Sequence, residues 1–475
     1  MFRLLCPYAW FEDCAYLYHA FAFKSGLKPF VDTLCVHPPT IEYLLAGLYN
    51  IFGVSYQVAE IMTAVIVAIA TVLLFDISKN ILGKYIALFV VASFSFSSLL
   101  FRYHIFEREI FTLSISILVM WIITRRKLNP YSALLIGILA GFGFGIKFSG
   151  LFILPPIIIY LLSLREYKKI FFSIIGFVIT SLVIYGYFLL RYKEPAYIQL
   201  FVFHFFKGFD VNSSVRFFNT FIRDLNYLWL LGGSGIFLSA FVSRKVLIFP
   251  LVVFIEYTLF FLFISATCWP HNMIDLLLPM SLGCGVSIYF VKKFITDAKN
   301  NIMPVILIIG FVIFSILIGS LRPDYYQGLG YIPRTEVAKA ARFIQANTPD
   351  KVPIHCPHYL ANEAQRLKII DYEELIGPYL LIKNLLENKD HNAIENLRSI
   401  NWYELIERTL PLWRNDLNNV VVERKVSCAV WDKVFPEWSL MYNIDTYLEN
   451  KIKLFSNAGY EVRYDNKFYT IWLLK

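Results

Sequence analysis

The sequence predicts a polytopic all-α membrane bundle followed by a small soluble α/β domain. Hydrophobic residues make up 57% of the 475 residues, and the mean hydropathy is +0.57, whereas soluble domains are roughly 45–50% apolar. Long apolar runs recur up to residue 321, after which charges become dense and the runs shorten. The net charge of +9 fits cationic loops at a membrane face, so we expect no nucleic-acid partner.

Apolar runs of about 18 residues or more can cross a bilayer as helices. The chain holds about ten such runs, of which the fifth is short and interrupted by Pro155-Pro156. A preceding segment, residues 39–53, has the pattern of an amphipathic helix that lies at the membrane interface. We place the spans at residues 57–78, 81–101, 107–124, 131–149, 151–164, 170–190, 227–242, 246–266, 272–291 and 303–321.

The loops between these runs alternate in charge. Lysine and arginine concentrate in every second loop, as in Arg125-Arg126-Lys127, and the positive-inside rule makes those loops cytoplasmic. The N-terminal loop, residues 191–226 and everything after residue 322 are then extracytoplasmic. An outside start needs either translocation of a short tail or a further span before the acidic loop, and we expect the latter.

The sequence therefore divides into an extracytoplasmic acidic loop with an interfacial helix (1–56), a transmembrane bundle (57–321) and an extracytoplasmic α/β domain (322–475). The last of these is long enough for its own core, and a turn at Asp465-Asn466-Lys467 indicates a hairpin. Its predicted elements are a helix at 335–346, strands at 352–356, 367–370 and 419–422, and hairpin strands at 460–464 and 468–474.

Two adjacent acids, Glu12 and Asp13, stand among aromatic residues in the first loop. Adjacent carboxyls in an apolar setting raise each other's pKa, which suits a general base. The alternative is an ordinary acidic loop.

Cationic side chains gather at the predicted outer ends of the spans. Lys147 ends an apolar span, where a charge is costly unless it is paired or functional. His271 and Asp275 are four residues apart at a span start, a spacing that places them on one helix face. Such cations can hold an anionic leaving group, or they can simply anchor span ends. The candidates are Arg102, Arg108, Lys147, His271 and His37.

The seven cysteines are scattered, without a CxxC pair, so no zinc or redox motif is visible. Cys14 and Cys35 could pair in the first loop, but the odd total and the lack of a pattern favour free thiols. No ligand cluster identifies a cofactor, and a divalent metal stays open.

Taken in order, these features resemble the lipid-linked sugar transferases of the GT-C type, specifically the glycosyltransferase 39 group of protein O-mannosyltransferases and aminoarabinose transferases. Residues 26–32 resemble the group's Gly-x-x-Pro-Tyr-x-Asp, and His37-Pro38-Pro39 resembles its entry to an interfacial helix. Residues 145–150 and Pro270-His271 resemble two of its span ends. The group usually has Asp before Glu, whereas here Glu12 precedes Asp13, so the identity of the base stays open.

The resemblance implies a multi-pass membrane enzyme that transfers a hexosyl or pentosyl group from a polyprenyl-phosphate sugar. Transfer is inverting, to an acceptor hydroxyl at the extracytoplasmic face; the acceptor is not identified. Glu12 or Asp13 is the expected base, the outer cations hold the donor phosphate, and aromatic side chains stack on sugar or lipid. We expect substrate-positioning roles for Asp32, Glu109, Tyr16 and Asp275.

Two other functions compete with the enzyme. A lipid or polyol transporter or flippase predicts ionisable residues in the middle of spans and repeated halves, and a non-catalytic scaffold predicts that the acidic pair is dispensable. Most ionisable residues of the bundle lie at outer span ends, and no internal repeat is visible. The enzyme is therefore favoured.

Overall fold

In the computed structural model the chain is mostly helical, with a small sheet near the C-terminus. The predicted fold class, a helical bundle with a C-terminal domain that contains strands, is confirmed. The structure describes residues 8–9, 14–33, 35–95, 97, 106–125, 128–202, 204, 231–242, 245–263, 270–296, 332–350, 352–354, 356, 358–367, 426–432, 453, 455–467 and 469–474.

The N-terminal part and the bundle contain one short strand and eleven α-helices within these ranges. Several of the helices are extended by turns of 3₁₀-helix, which reach the site described below. In chain order the elements are β1 (Tyr8–Ala9), α1 (Cys14–Lys24), α2 (Thr40–Phe52), α3 (Tyr56–Leu82), α4 (Lys84–Ser95), α5 (Arg108–Arg125), α6 (Pro130–Ile146), a 3₁₀-helix (Phe148–Ile153), α7 (Leu154–Ser163), α8 (Tyr167–Tyr197), a π-helical turn (Ile198–Val202), α9 (Gly233–Leu238), 3₁₀-helices (Ser239–Phe241 and Lys245–Leu247), α10 (Ile248–Phe263), a 3₁₀-helix (Pro270–Leu276) and α11 (Leu277–Thr296).

Among the described residues, four helical segments are long and apolar enough to cross a membrane: Tyr56–Leu82, Tyr167–Phe201, Lys245–Phe263 and Asn272–Lys293. Shorter apolar helices cover Lys84–Ser95, Pro130–Ile146 and Phe148–Ser163. The predicted number of spans, the domain boundaries and the orientation stay predictions, and the predicted span at 303–321 lies outside the described residues.

Helix α2 has the amphipathic pattern expected for residues 39–53. It buries Ile41, Leu45 and Tyr49 on one face, at a spacing of four, while Ile51 and Phe52 are exposed. A helix at this place is confirmed, and its position at the membrane interface stays a prediction.

Glycines bring α6 and α8 into close contact. A Cβ atom added at Gly137 would collide with the carbonyl of Ser173, and one added at Gly176 would collide with that of Leu134. Small residues at facing positions allow helices to approach closely in a membrane. After α6 the chain is extended at Lys147 (φ −153°, ψ 147°), and the following 3₁₀-helix folds back so that Gly150 lies against Gly143.

Two hydrogen bonds of the Gln199 side chain, which we call the clasp, hold the loop between α1 and α2 in place. Gln199, just past the end of α8, donates its side-chain amide to the carbonyl of Phe30 at 2.8 Å and accepts from the backbone N–H of Cys35 at 2.8 Å.

Helix α8 itself is kinked at Lys193 (φ 48°), two residues before Pro195. The left-handed backbone at Lys193 and Phe30 (φ 65°) is strained for non-glycine residues.

The C-terminal domain begins with β2 (Ile332–Pro333), which pairs antiparallel with β1, and continues with α12 (Arg334–Asn347) and α13 (His358–Ala364). A three-stranded antiparallel sheet follows, in the order β3-β5-β4. The predicted helix at 335–346 and the predicted hairpin are confirmed. The strands are β3 (Cys428–Asp432), β4 (Tyr460–Asp465) and β5 (Tyr469–Leu474).

The predicted strand at 352–356 is described only in part, and its described residues form a single β-bridge at Ile354. Ile354 donates its N–H to the carbonyl of Leu367 at 2.9 Å, and the carbonyl of Pro353 accepts from the N–H of Ser427 at 3.2 Å. Residues 368–370 of the predicted strand at 367–370 lie outside the described residues, as does the predicted strand at 419–422.

Candidate functional site

Buried charges from four segments of the chain meet at one place. The segments are the first turns of α2 and α5, the end of α6, and the 3₁₀-helix that precedes α11. We call Glu42, Arg108, Glu109, Lys147 and Asp275 the ion cluster. Charged side chains are seldom buried unless they are paired, and inside a membrane bundle they mark functional sites. The cluster therefore needs a chemical explanation.

Glu42 and Arg108 form a buried ion pair at the centre of this cluster. Arg108 Nη2 donates to Glu42 Oε1, and the two side chains are 2% and 0% exposed. The guanidinium carbon lies 4.5 Å from the centre of the Tyr16 ring, a cation–π contact. Burial raises the pKa of the Glu42 carboxyl, and the Arg108 guanidinium opposes this effect. Burial likewise raises the pKa of Tyr16, so this phenol stays protonated.

A second pair joins the end of α6 to the start of α5. Lys147 Nζ donates to Glu109 Oε1 and, at 2.9 Å, to Asn272 Oδ1. Glu109 is 2% exposed and Lys147 is 16% exposed. The lysine that the sequence marked as costly is therefore paired, and its side chain is the more accessible of the two cations.

Asp275 holds three segments together beside this pair. It accepts hydrogen bonds from Thr112 Oγ1 at 2.7 Å and from the Tyr257 hydroxyl at 2.6 Å. Tyr257 also lies 3.3 Å from the carbonyl of Ser149. Thr112 Oγ1 also lies 3.0 Å from the carbonyl of Glu109, so its single proton is shared between the two acceptors. Asp275 therefore braces the first turn of α5, on which Glu109 lies.

The expectation that His271 and Asp275 share a helix face is wrong. Both residues lie in the 3₁₀-helix Pro270–Leu276, which has three residues per turn. Positions four apart are therefore rotated by about a third of a turn. The structure describes only the backbone of His271.

Two other predicted residues lie apart from these ion pairs. The Asp32 carboxylate accepts from the backbone N–H of Lys28 at 2.7 Å and so closes its own turn. The His37 ring lies 4.9 Å, centre to centre, from that of His204 and 6.0 Å from that of Phe148. Phe148 follows Lys147, so His37 lies beside the segment that carries this lysine.

The predicted residues Glu12, Asp13 and Arg102 lie outside the described residues. Among those described, no group of three or more His, Cys, Asp or Glu could hold a metal ion, and a metal requirement stays open. Cys35, Cys284, Cys356 and Cys428 are buried free thiols.

Sequence reasoning missed four partners in this site: Glu42, Thr112, Tyr257 and Asn272. Glu42 carried a signal, because an acid in the apolar face of an amphipathic helix needs a buried partner. The other three are ordinary polar residues whose importance depends on chain segments far away in sequence.

The comparisons with known proteins agree with this architecture. Residues 36–198 match the family model of the dolichyl-phosphate-mannose-protein mannosyltransferases. The structure matches ArnT from Cupriavidus metallidurans in the apo state with a TM-score of 0.64 and 12% identity, covering 98% of this chain and 93% of that chain. ArnT bound to undecaprenyl phosphate matches with a TM-score of 0.62 and 13% identity, covering 97% and 93%. The chain has the GT-C fold.

The resemblance read from the sequence motifs is therefore confirmed at the level of the fold. An oligosaccharyltransferase from Archaeoglobus fulgidus also matches, with a TM-score of 0.45 and 14% identity, covering 76% of this chain and 59% of that chain. No curated protein sequence matches the chain.

Proposed function

We propose that this protein is a membrane glycosyltransferase that moves a sugar from a polyprenyl-phosphate donor to an acceptor hydroxyl at the extracytoplasmic face, with inversion. The observation that carries the proposal is the ion cluster, whose buried cations and acids meet at one end of a GT-C bundle. The family match over residues 36–198 supports it, as does the ArnT structure with undecaprenyl phosphate.

The cluster suits departure of a lipid phosphate. Lys147 has three N–H donors; Glu109 and Asn272 accept from it. They fix the ammonium while leaving a donor for a phosphate oxygen. A fixed donor in a low-dielectric site stabilises charge that develops in the transition state, and removing one such donor costs roughly 10²–10³ in rate.

The proposed base is Asp13 or Glu12. Tyr16, which follows Asp13 by three residues in the sequence, touches Arg108 of the cluster, and this contact supports the proposal. One carboxylate accepts the proton of the acceptor hydroxyl, whose oxygen attacks the anomeric carbon. The bond from that carbon to the phosphate oxygen breaks, and attack from the opposite face inverts the configuration.

The direct test is transfer from labelled polyprenyl-phosphate sugars by membranes that contain the wild type, Glu12→Gln or Asp13→Asn. Glu194→Gln, which changes an exposed carboxylate after the kink in α8, is the matched control. We expect one acid variant to lose transfer at normal expression and the control to keep it. Equal transfer by all variants would remove the acidic pair from the mechanism.

One observation favours the transporter as the second candidate. Glu256 lies within α10, in a segment long enough to span a membrane. Its Oε2 is buried without a hydrogen-bond partner among the described residues. A carboxyl at such a depth is what a transporter predicts.

A further inference from the structure

The Glu42–Arg108 pair is incompletely satisfied. Within the described part of the chain, Arg108 Nε, Arg108 Nη1 and Glu42 Oε2 are buried and have no hydrogen-bond partner. Leaving one buried polar group unpaired costs roughly 1–3 kcal/mol, and more for charged groups. Native proteins keep few such groups, and each calls for an explanation such as a catalytic role, water or an ion. The pair therefore presents two unpaired donor atoms and one unpaired acceptor atom, and a bound ligand can form hydrogen bonds with all three.

The pattern does not fit phosphate. A phosphate dianion offers only acceptors to Arg108, and the unpaired oxygen of Glu42 repels it. Glu107 and Glu109, which flank Arg108 in sequence, are also buried, so carboxylates outnumber the guanidinium at this place. A hydroxyl group both donates and accepts. Neighbouring hydroxyls of one sugar ring can therefore donate to Glu42 while accepting from Arg108.

We infer that Glu42 and Arg108 form a subsite that recognises hydroxyl groups of the sugar on the donor, while Lys147 faces the lipid phosphate. This inference rests on the proposed function and deepens it. It gives Arg108 a different role from the phosphate contact predicted from sequence. Lys147 suits phosphate better because Glu109 already accepts from its ammonium, which keeps a further N–H donor after its contact with Asn272.

The subsite lies on rigid elements. Arg108 is the first residue of α5, Glu42 lies in the first turn of α2, and Tyr16 lies in the first turn of α1. Polar groups held in this way discriminate strongly, because a substrate that lacks the expected hydroxyl leaves them unpaired. Sites built to bind a hydroxyl reject the analogue without it by about 10⁴–10⁵.

The test distinguishes recognition of the donor sugar from recognition of the lipid phosphate. The full-length protein in lipid nanodiscs is titrated with sugar-free undecaprenyl phosphate, with undecaprenyl-phosphate sugars, and with analogues that lack single ring hydroxyls. We expect Glu42→Gln and Arg108→Lys to weaken binding of the cognate sugar lipid at least about tenfold, or about 1.4 kcal/mol. Binding of sugar-free lipid stays unchanged in both, whereas Lys147→Gln weakens both lipids. The wild type loses affinity for one deoxy analogue, and Glu42→Gln no longer distinguishes it.

Other results overturn the inference. If Arg108→Lys weakens sugar-free lipid as much as sugar lipid, Arg108 binds phosphate. If neither variant alters either lipid, bound water satisfies the pair. If the wild type binds neither lipid, the subsite and the proposed function fall together. If it binds sugar lipid as expected but transfers no sugar, the subsite stands and the proposed function fails.

Folding is checked separately, because removing one partner of a buried ion pair is strongly destabilising. The charge-balanced double variant Glu42→Gln/Arg108→Gln removes both charges while keeping similar volume. We expect it to unfold nearer the wild-type temperature than Arg108→Gln does, yet to show the same loss of sugar-lipid affinity. Recovery of that affinity together with stability would assign the pair a purely structural role and overturn the subsite.

Discussion

At the scale of residues, Lys147 combines a structural and a proposed catalytic role, and the two are separable. Lys147→Gln strands the buried carboxylate of Glu109, which breaks a buried pair and costs about 3–5 kcal/mol. Adding Glu109→Gln removes the stranded charge. We expect the double variant to recover most of the lost thermal stability in detergent but none of the lost sugar transfer. Recovery of transfer would show that Lys147 acts only through the fold.

Glu256 separates the enzyme from a transporter. It lies in a membrane-length segment, whereas the ion cluster lies at helix ends. If the protein is a glycosyltransferase, Glu256→Gln keeps the transfer rate within about twofold and raises stability slightly, because a neutral amide is cheaper to bury than a carboxylate. The measurement is initial transfer rate alongside the unfolding temperature. Loss of function with retained stability would favour the transporter.

At the scale of elements, helix packing depends on a few glycines of α8. Gly176 faces the α6 backbone at Leu134, whereas a Cβ at Gly186 meets nothing within 4 Å. We expect Gly176→Ala to destabilise the protein by about 1–3 kcal/mol through overpacking. Gly186→Ala, in the same helix, should be neutral or stabilising by up to about 1 kcal/mol because of helix propensity. Thermal unfolding of both variants in one detergent is the measurement, and equal shifts would contradict the close α6–α8 contact.

The loop clasped by Gln199 offers a second test at this scale. Burial, helped by the nearby Glu42 carboxylate, raises the pKa of Cys35 to about 12, so this thiol is neutral and unreactive at pH 8. Its folded pKa exceeds the ordinary value of 9.0, so the folding stability that it contributes is lost as pH rises from 9.0 towards 12. We expect iodoacetamide to modify Cys35 slowly at pH 8 and at least about tenfold faster in Gln199→Ala, where opening exposes the thiol. Peptide mass spectrometry measures both rates, and equal rates would refute the clasp.

The elements also show what the sequence predicts and what it does not. Long apolar periodicity located α3, α8 and α11, because burial in a membrane bundle overrides local preferences. The same periodicity did not reveal that Pro270–Leu276 is a 3₁₀-helix. That difference reorients Asp275 towards Thr112 and Tyr257. Lys147, Glu109, Arg108 and Asp275 of the ion cluster could be named in advance, yet which side chain pairs with which could not, since each pair joins segments far apart in sequence.

At the scale of the whole molecule, the C-terminal domain is attached to the start of the chain at several points. Strand β2 pairs with β1, and helix α13 packs against α1, which carries Tyr16. The Glu363 carboxylate accepts from the backbone N–H of Tyr56, the first residue of α3, at 3.2 Å. Because these contacts hold the helix that carries Tyr16 of the site, we expect the C-terminal domain to orient α1.

If the attachment orients α1, breaking it should lower both stability and sugar transfer, and a conservative substitution should restore both. The first N–H groups of a helix lack intrahelical partners, and a carboxylate is the favoured cap because it also meets the positive end of the helix dipole. Glu363→Ala removes this cap, so we expect both a lower unfolding temperature and a fall of about two- to thirtyfold in transfer, in line with a loss of about 0.5–2 kcal/mol. Glu363→Gln retains an oxygen acceptor and should restore most of both. If Glu363→Ala lowers transfer without changing the affinity for sugar-free undecaprenyl phosphate, the domain acts on the geometry of α1 rather than on donor binding. Unchanged transfer in Glu363→Ala would instead show that this attachment has no part in catalysis.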